Sequence, residues 1–165
     1  MEERASDKNA FREQALSYPA LEAMTGGFLG LLGIFLGWFV HEAQFAGRGV
    51  DSLVLRGTQD LSGQLAALGA IVSFVGGGAM LLMADAKIGR WATMAAGAGA
   101  VFLLAFSTAG LLRADAALQS TVAVAGPAGT AFGAYLSAIG GVIATASVML
   151  GVVRDREAAE ARGWS

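Results

Sequence analysis

The chain has no cysteine. Disulfides, thiolate metal sites and cysteine nucleophiles are thereby excluded. It has a single histidine, His41, so a metal site built from several histidines is excluded too. Proline is scarce, 2 residues against 24 glycines among 165, and the glycines fall mostly inside apolar stretches. Disordered chains pair glycine with proline, serine and charge, which is not the pattern here. Charge is thin as well: 15% of residues carry one, where a soluble domain has about a quarter. The net charge of −2 and the lack of a basic stripe leave no footprint for nucleic acid. No Gly-rich phosphate loop is expected either. Gly76-Gly77-Gly78 lacks a following Lys-Ser/Thr and lies in an apolar run, where it marks a flexible or closely packed point.

What is present is apolar and long. Apolar residues make up 55% of the chain, and the charges are pushed to the tails and to short stretches between uncharged runs. Four runs, at about residues 24–42, 64–84, 91–112 and 130–153, are long enough to cross a bilayer. The expected fold is an all-α membrane protein, a four-helix transmembrane bundle. Residues 1–23 form a polar N-terminal tail, read either as a short interfacial helix or as a mobile segment, and Pro19 is expected to interrupt before the first span. The tail carries five acids and three bases, unlike a secretory signal, and is expected to be retained. Residues 154–165 form a charged C-terminal tail with a short helix. Trp38 and Phe39 fit an interfacial aromatic belt at the end of the first span.

Two stripes of small residues organise these runs. Gly26, Gly30, Gly33 and Gly37 step by four, three and four residues and so share one helix face. Gly133, Ser137, Gly140, Ala144, Ser147 and Gly151 form a second stripe in the fourth span. Gly69, Ser73 and Gly76 or Gly77 make a similar face in the second. Glycine costs about 1 kcal/mol against alanine in an exposed helix, so such stripes need a reason. In a bilayer they let helices approach closely. The stripes are the expected helix-packing residues, and a stripe left unused within the bundle would be a docking face.

The connections carry their own signals. Residues 50–55 read as a strand with a turn at 56–58, so the first loop is expected to form a small folded cap. Residues 120–124 read as a second short strand, residues 126–129 as a turn and residues 85–90 as a short polar turn. The two strands are expected to pair over the bundle mouth. Of the 11 lysines and arginines, 8 lie in the two tails and the middle turn. The positive-inside rule then puts both termini in the cytoplasm, the protein in the cytoplasmic membrane and the strand-containing cap outside.

The layout resembles the claudin-like tetraspan architecture. Residues 131–141, Ala-Phe-Gly-Ala-Tyr-Leu-Ser-Ala-Ile-Gly-Gly, look like the Gly-x-Tyr-Leu-x-x-x-Gly-Gly pattern of small prokaryotic tetraspan membrane proteins of unknown function. The resemblance covers about residues 24–153 and implies the layout alone. The animal family's first-loop Trp and Cys pair is not matched, so its junction-forming role is not implied.

Chemistry is sparse. No Asp, Glu, Lys or Arg is expected at mid-span, where ion-coupled carriers keep one. The span hydroxyls, among them Ser73, Ser107, Ser137, Thr145 and Ser147, have no base at similar depth to activate them. His41 falls close to the glycine face, as a structural interfacial residue or as a ligand or pH-sensing group. Met80, Met83, Met94 and Met149 read as apolar filling. Phe28, Phe35, Phe39, Phe74, Phe102, Phe106 and Phe132 are assigned to lipid or a partner subunit. No catalytic, cofactor-binding or metal-binding residue is expected. The expected function is a non-catalytic accessory or scaffolding subunit working through its glycine-rich faces. Its partners are the lipid bilayer and either copies of itself or a larger membrane complex. The alternative is a pore or carrier component for a small neutral solute.

Overall fold

The computed structural model describes residues 2–45, 48–82, 86–121 and 128–160. Four helices dominate: α1 (Glu2–Phe35), α2 (Leu61–Leu82), α3 (Ala86–Thr121) and α4 (Phe132–Glu160). Each contains a stretch long and apolar enough to cross a membrane: Tyr18–Phe35, Leu61–Leu82, Gly89–Arg113 and Phe132–Val153. Helix α1 packs on α2 and α4, and α3 packs on the same two, so the four close into a ring with few contacts across the diagonals.

Packing runs inside out relative to a soluble bundle. The buried side chains are mostly small: Ala20, Ala23, Ala66, Ala70, Ala92, Ala96, Ala100, Ala134 and Ala144, with Ser73, Ser107, Ser137 and Ser147. Large apolar side chains point outward on every helix, for example Phe28, Leu68, Phe102 and Ile139. Lipid tails are as apolar as leucine, so a membrane bundle gains little by burying large residues and more by bringing backbones together. Phe35 and Phe132 also face outward, while Phe74 and Phe106 are half-buried and Phe106 stacks against Phe102 at a ring-centre distance of 4.7 Å. Of the methionines, Met94 and Met149 are exposed and Met80 is half-buried; Met83 lies outside the described residues.

Several sequence expectations are corrected. The first span does not run to residue 42. Helix α1 stops at Phe35, and Gly37–Phe45 is a strand, β1. β-branched and aromatic residues after Gly37 favour extended backbone once the helix is released. At the other end α1 is continuous through Pro19, which lies inside the helix rather than interrupting it. Pro19 removes one backbone hydrogen bond there, and its ring faces Gly151 of α4. The polar turn at 85–90 is shorter than expected, because α3 already begins at Ala86. The strand expected at 120–124 is not formed at its start, since α3 runs through Thr121; residues 122–124 lie outside the described residues. The turn expected at 126–129 ends instead in a strand, β3 (Ala128–Thr130). The fourth helix starts at Phe132 and runs into the charged tail as far as Glu160 without a break.

The sheet has three strands in the order β2-β1-β3, with β2 spanning Arg48–Arg56. Both pairings are antiparallel: Val40 opposes Val54 on one side and Gly129 on the other. The first loop thus pairs largely with itself, as a hairpin.

Candidate functional site

Two regions hold the residues singled out by sequence: the helix–helix contacts and the bundle mouth. At the α1–α4 contact the two small-residue stripes face each other. A β-carbon placed on Gly26 would lie 2.5 Å from the Gly140 carbonyl oxygen and 2.6 Å from the Ala144 nitrogen. One placed on Gly140 would lie 2.5 Å from the Gly26 oxygen. A turn further on, a β-carbon placed on Gly33 would lie 2.5 Å from the Gly133 carbonyl oxygen and against the backbone nitrogen of Ser137. These are backbone neighbours, which cannot turn aside as a side chain can. At the far end a β-carbon placed on Gly151 would lie 3.5 Å from the Cβ of Pro19, an ordinary van der Waals contact.

Not every member of the stripes acts as expected. Gly37 is on β1, paired with Arg56, although its carbonyl oxygen still comes within 2.7 Å of a β-carbon placed on Gly133. Gly30 serves two contacts: its backbone lies against Gly140 of α4, whose β-carbon would fall 2.6 Å from the Gly30 nitrogen, while a β-carbon on Gly30 itself would meet the Leu103 side chain of α3. Ser147 is buried but donates to the Ile143 carbonyl of its own helix at 2.7 Å.

The other contacts follow the same rule. Gly27, not singled out by sequence, packs on α2: a β-carbon placed on it would lie 2.8 Å from both the Ala70 carbonyl oxygen and the Phe74 nitrogen. Its neighbour Gly26 faces α4, so adjacent glycines serve two different helices. Between α2 and α3, Gly69 packs on Gly99 and Leu103, and Gly76 on Ala96. Gly77 packs on Ala20 and Met24 of α1, so Gly76 and Gly77 mark a closely packed point, while a β-carbon on Gly78 would meet only the Met24 sulfur, at 4.0 Å. The α3 face, Ala92, Ala96, Gly99 and Leu103, was hidden from the sequence because alanine is common on every face of that helix.

Buried hydroxyls tie the helices where glycine does not. Ser73 donates to the Ala23 carbonyl at 3.3 Å, linking α2 to α1. Ser107 and Ser137 share a hydrogen bond of 2.7 Å between α3 and α4. Among the described residues no buried side-chain polar atom lacks a partner, and no group of His, Asp and Glu could hold a metal.

The mouth is organised by Trp38. The β1–β2 register shifts between Gly37 and Phe39, a bulge of the kind that re-aims a side chain. The indole turns down into the bundle and is fully buried. Its Nε1–H donates to the Gly33 carbonyl at 3.0 Å, a helix-end carbonyl with no later N–H to accept from. Gly57 and Gly110 form the walls, where β-carbons would lie 2.7 Å and 2.5 Å from the ring. The Trp38 carbonyl accepts from the Ala131 amide at 2.8 Å, fixing the entry to α4. Around it pack Ile34, Ala66, Ala70, Leu103 and Ala134. Trp38 is therefore a core residue, not part of an interfacial belt. Beside it Asp60 caps α2, its carboxylate accepting from the Ser62 amide at 3.0 Å and from the Ser62 hydroxyl. His41 is on β1, opposite Leu53 and Ala128, and so is on the central strand instead of on a helix face.

One charge falls inside an apolar stretch. Glu22, assigned to the N-terminal tail, is inside the apolar stretch of α1 and is its one charged residue. A groove of about 260 Å³ beside it is lined by Tyr18, Pro19, Glu22 and Leu150.

No protein-family model matches the chain, and no curated protein or solved structure is detectably similar to it.

Proposed function

We propose that this is a non-catalytic integral protein of the cytoplasmic membrane that acts as an accessory or scaffolding subunit, either in copies of itself or in a larger complex. Both termini lie in the cytoplasm, and the three-stranded sheet lies outside as a cap on the bundle. The layout is that of the claudin-like small prokaryotic tetraspan proteins. One observation carries the reading: the interior is committed to packing. Small residues lie in the closest helix contacts, among the described residues no buried side-chain polar atom lacks a partner, and Leu103 and Trp38 belong to the buried apolar cluster. What is left to meet a partner is the outer surface. The docking faces are then the exposed apolar flanks and the sheet, because the glycine stripes of α1 and α4 are used against each other.

The absence of cysteine makes the test clean. Single cysteines at Gly47, between Phe45 and Arg48 in the sequence, and at Ser165 should be labelled from opposite sides of the membrane in intact cells, Gly47→Cys from outside. Purification in mild detergent should then give one defined stoichiometry with a partner chain or with itself. Labelling of both sites from one side, or a monodisperse monomer with no partner, overturns the reading.

A further inference from the structure

We infer that the groove between α1 and α4 at Glu22 binds the primary ammonium of a lipid headgroup, of the phosphatidylethanolamine class. The inference needs the four helices in a membrane and is independent of what else the protein docks to.

Depth is fixed by helix register. Gly77 of α2 packs against Ala20 and Met24, which bracket Glu22. Helix α2 continues for five more apolar or small residues, 78–82, before its end. At 1.5 Å per residue, the Glu22 Cα lies about 7.5 Å along the helices from the level of Leu82, the end of the apolar α2. The α4 side agrees. Pro19 lies against Gly151, Glu22 is nearly a turn deeper, and Val152 and Val153 continue outward. A carboxylate at this depth is costly unless it meets a cation or water. Yet Glu22 is exposed on the bundle surface and makes no hydrogen bond or ion pair among the described residues.

Direction follows from helix geometry. Side chains tilt toward the helix N-terminus, which for α1 is the near membrane edge. The Glu22 carboxylate therefore leans up from below toward Tyr18, one turn away on the same face and 61% exposed. Carboxylate and phenol ring together suit an ammonium, by ion pairing and by cation–π attraction. Leu150 supplies an apolar wall for the lipid body. A primary ammonium donates hydrogen bonds to the carboxylate, which a trimethylated one cannot, and an anionic headgroup would meet a like charge.

The test is lipid retention by native mass spectrometry of the purified protein. Mixed micelles would contain equal amounts of phosphatidylethanolamine, phosphatidylcholine and phosphatidylglycerol. Wild type should retain the ethanolamine lipid with a preference on the order of three- to tenfold, the scale of one charge-assisted contact. Glu22→Gln, nearly isosteric, should lose the preference while melting as wild type does, and Tyr18→Leu should weaken it. A photoreactive phosphatidylethanolamine should label the peptide containing residues 18–22. No preference in wild type, an unchanged preference in Glu22→Gln, or retention of phosphatidylglycerol instead would each overturn the inference. So would full displacement by millimolar free ethanolamine, which would make the ligand a soluble amine.

Discussion

The Leu103 side chain occupies the space that a β-carbon on Gly30 would need: its two δ-carbons lie 2.6 Å and 3.0 Å from that position. The pair is a knob and a hole at the centre of the bundle, supplied by helices diagonal to each other. Truncating the knob by Leu103→Ala should cost about 2–5 kcal/mol, the range for buried leucines. Filling the hole by Gly30→Ala should cost about 1–3 kcal/mol by overpacking. The double variant should be better than the sum of the two by about 1 kcal/mol or more, because the new methyl enters the vacated space. Reversible unfolding in mixed micelles measures all four corners of the cycle; strict additivity would show that the two side chains do not share that space.

Gly33→Leu tests the α1–α4 contact. Its β-carbon would stand 2.5 Å from the Gly133 carbonyl oxygen, and a backbone atom cannot give way. The loss should be near the upper end of the overpacking range, about 3 kcal/mol. Leucine is the better helix former and inserts better, so insertion should be kept while the melting temperature falls. Leu68→Phe, at a side chain 57% exposed on α2, is the control and should melt as wild type.

The helices were legible in the sequence because long uncharged runs permit little else. The α1 and α4 stripes were legible because glycine is rare enough at helical spacing to signal. The end of α1 was not, since Gly37-Trp38-Phe39-Val40 is as apolar as the helix before it and hydropathy cannot see a change of backbone. Trp38 was assigned to an interface for the same reason. Its burial depends on a bulge, and on Gly57 and Gly110, which come from distant parts of the chain. Glu22 was placed in the tail by its polarity. Its depth appears only when α1 is set in register with α2 and α4.

The Ser107–Ser137 hydrogen bond should show a small, non-additive effect. Either serine changed to alanine leaves the other hydroxyl to find a partner in its own helix, at a cost of about 1 kcal/mol or less. Changing both should cost no more than the worse single change, because no buried hydroxyl remains. A double variant that loses several kcal/mol would assign this pair a larger part in holding α3 to α4.

Trp38 should couple the sheet to the bundle. Trp38→Ala removes the largest fully buried side chain among the described residues and should cost about 3–5 kcal/mol. Trp38→Phe keeps an aromatic ring but leaves the Gly33 carbonyl without the indole N–H, and should cost less, with about 1 kcal/mol from the hydrogen bond. Gly110→Ala separates packing from other causes. Its new methyl would lie 2.5 Å from the ring, so it should destabilise the wild-type background. In Trp38→Ala, where the slot is empty, it should be tolerated. Hydrogen exchange locates the damage. In Trp38→Ala, amides of β1, β2 and β3 should lose protection, since the carbonyl link to Ala131 and the anchor into the core loosen together. Amides around Gly26 and Gly140, about 10 Å or more along the helices, should stay protected. Equal loss along the whole of α1 would mean that the sheet and the bundle unfold as one unit and that Trp38 is not the joint between them.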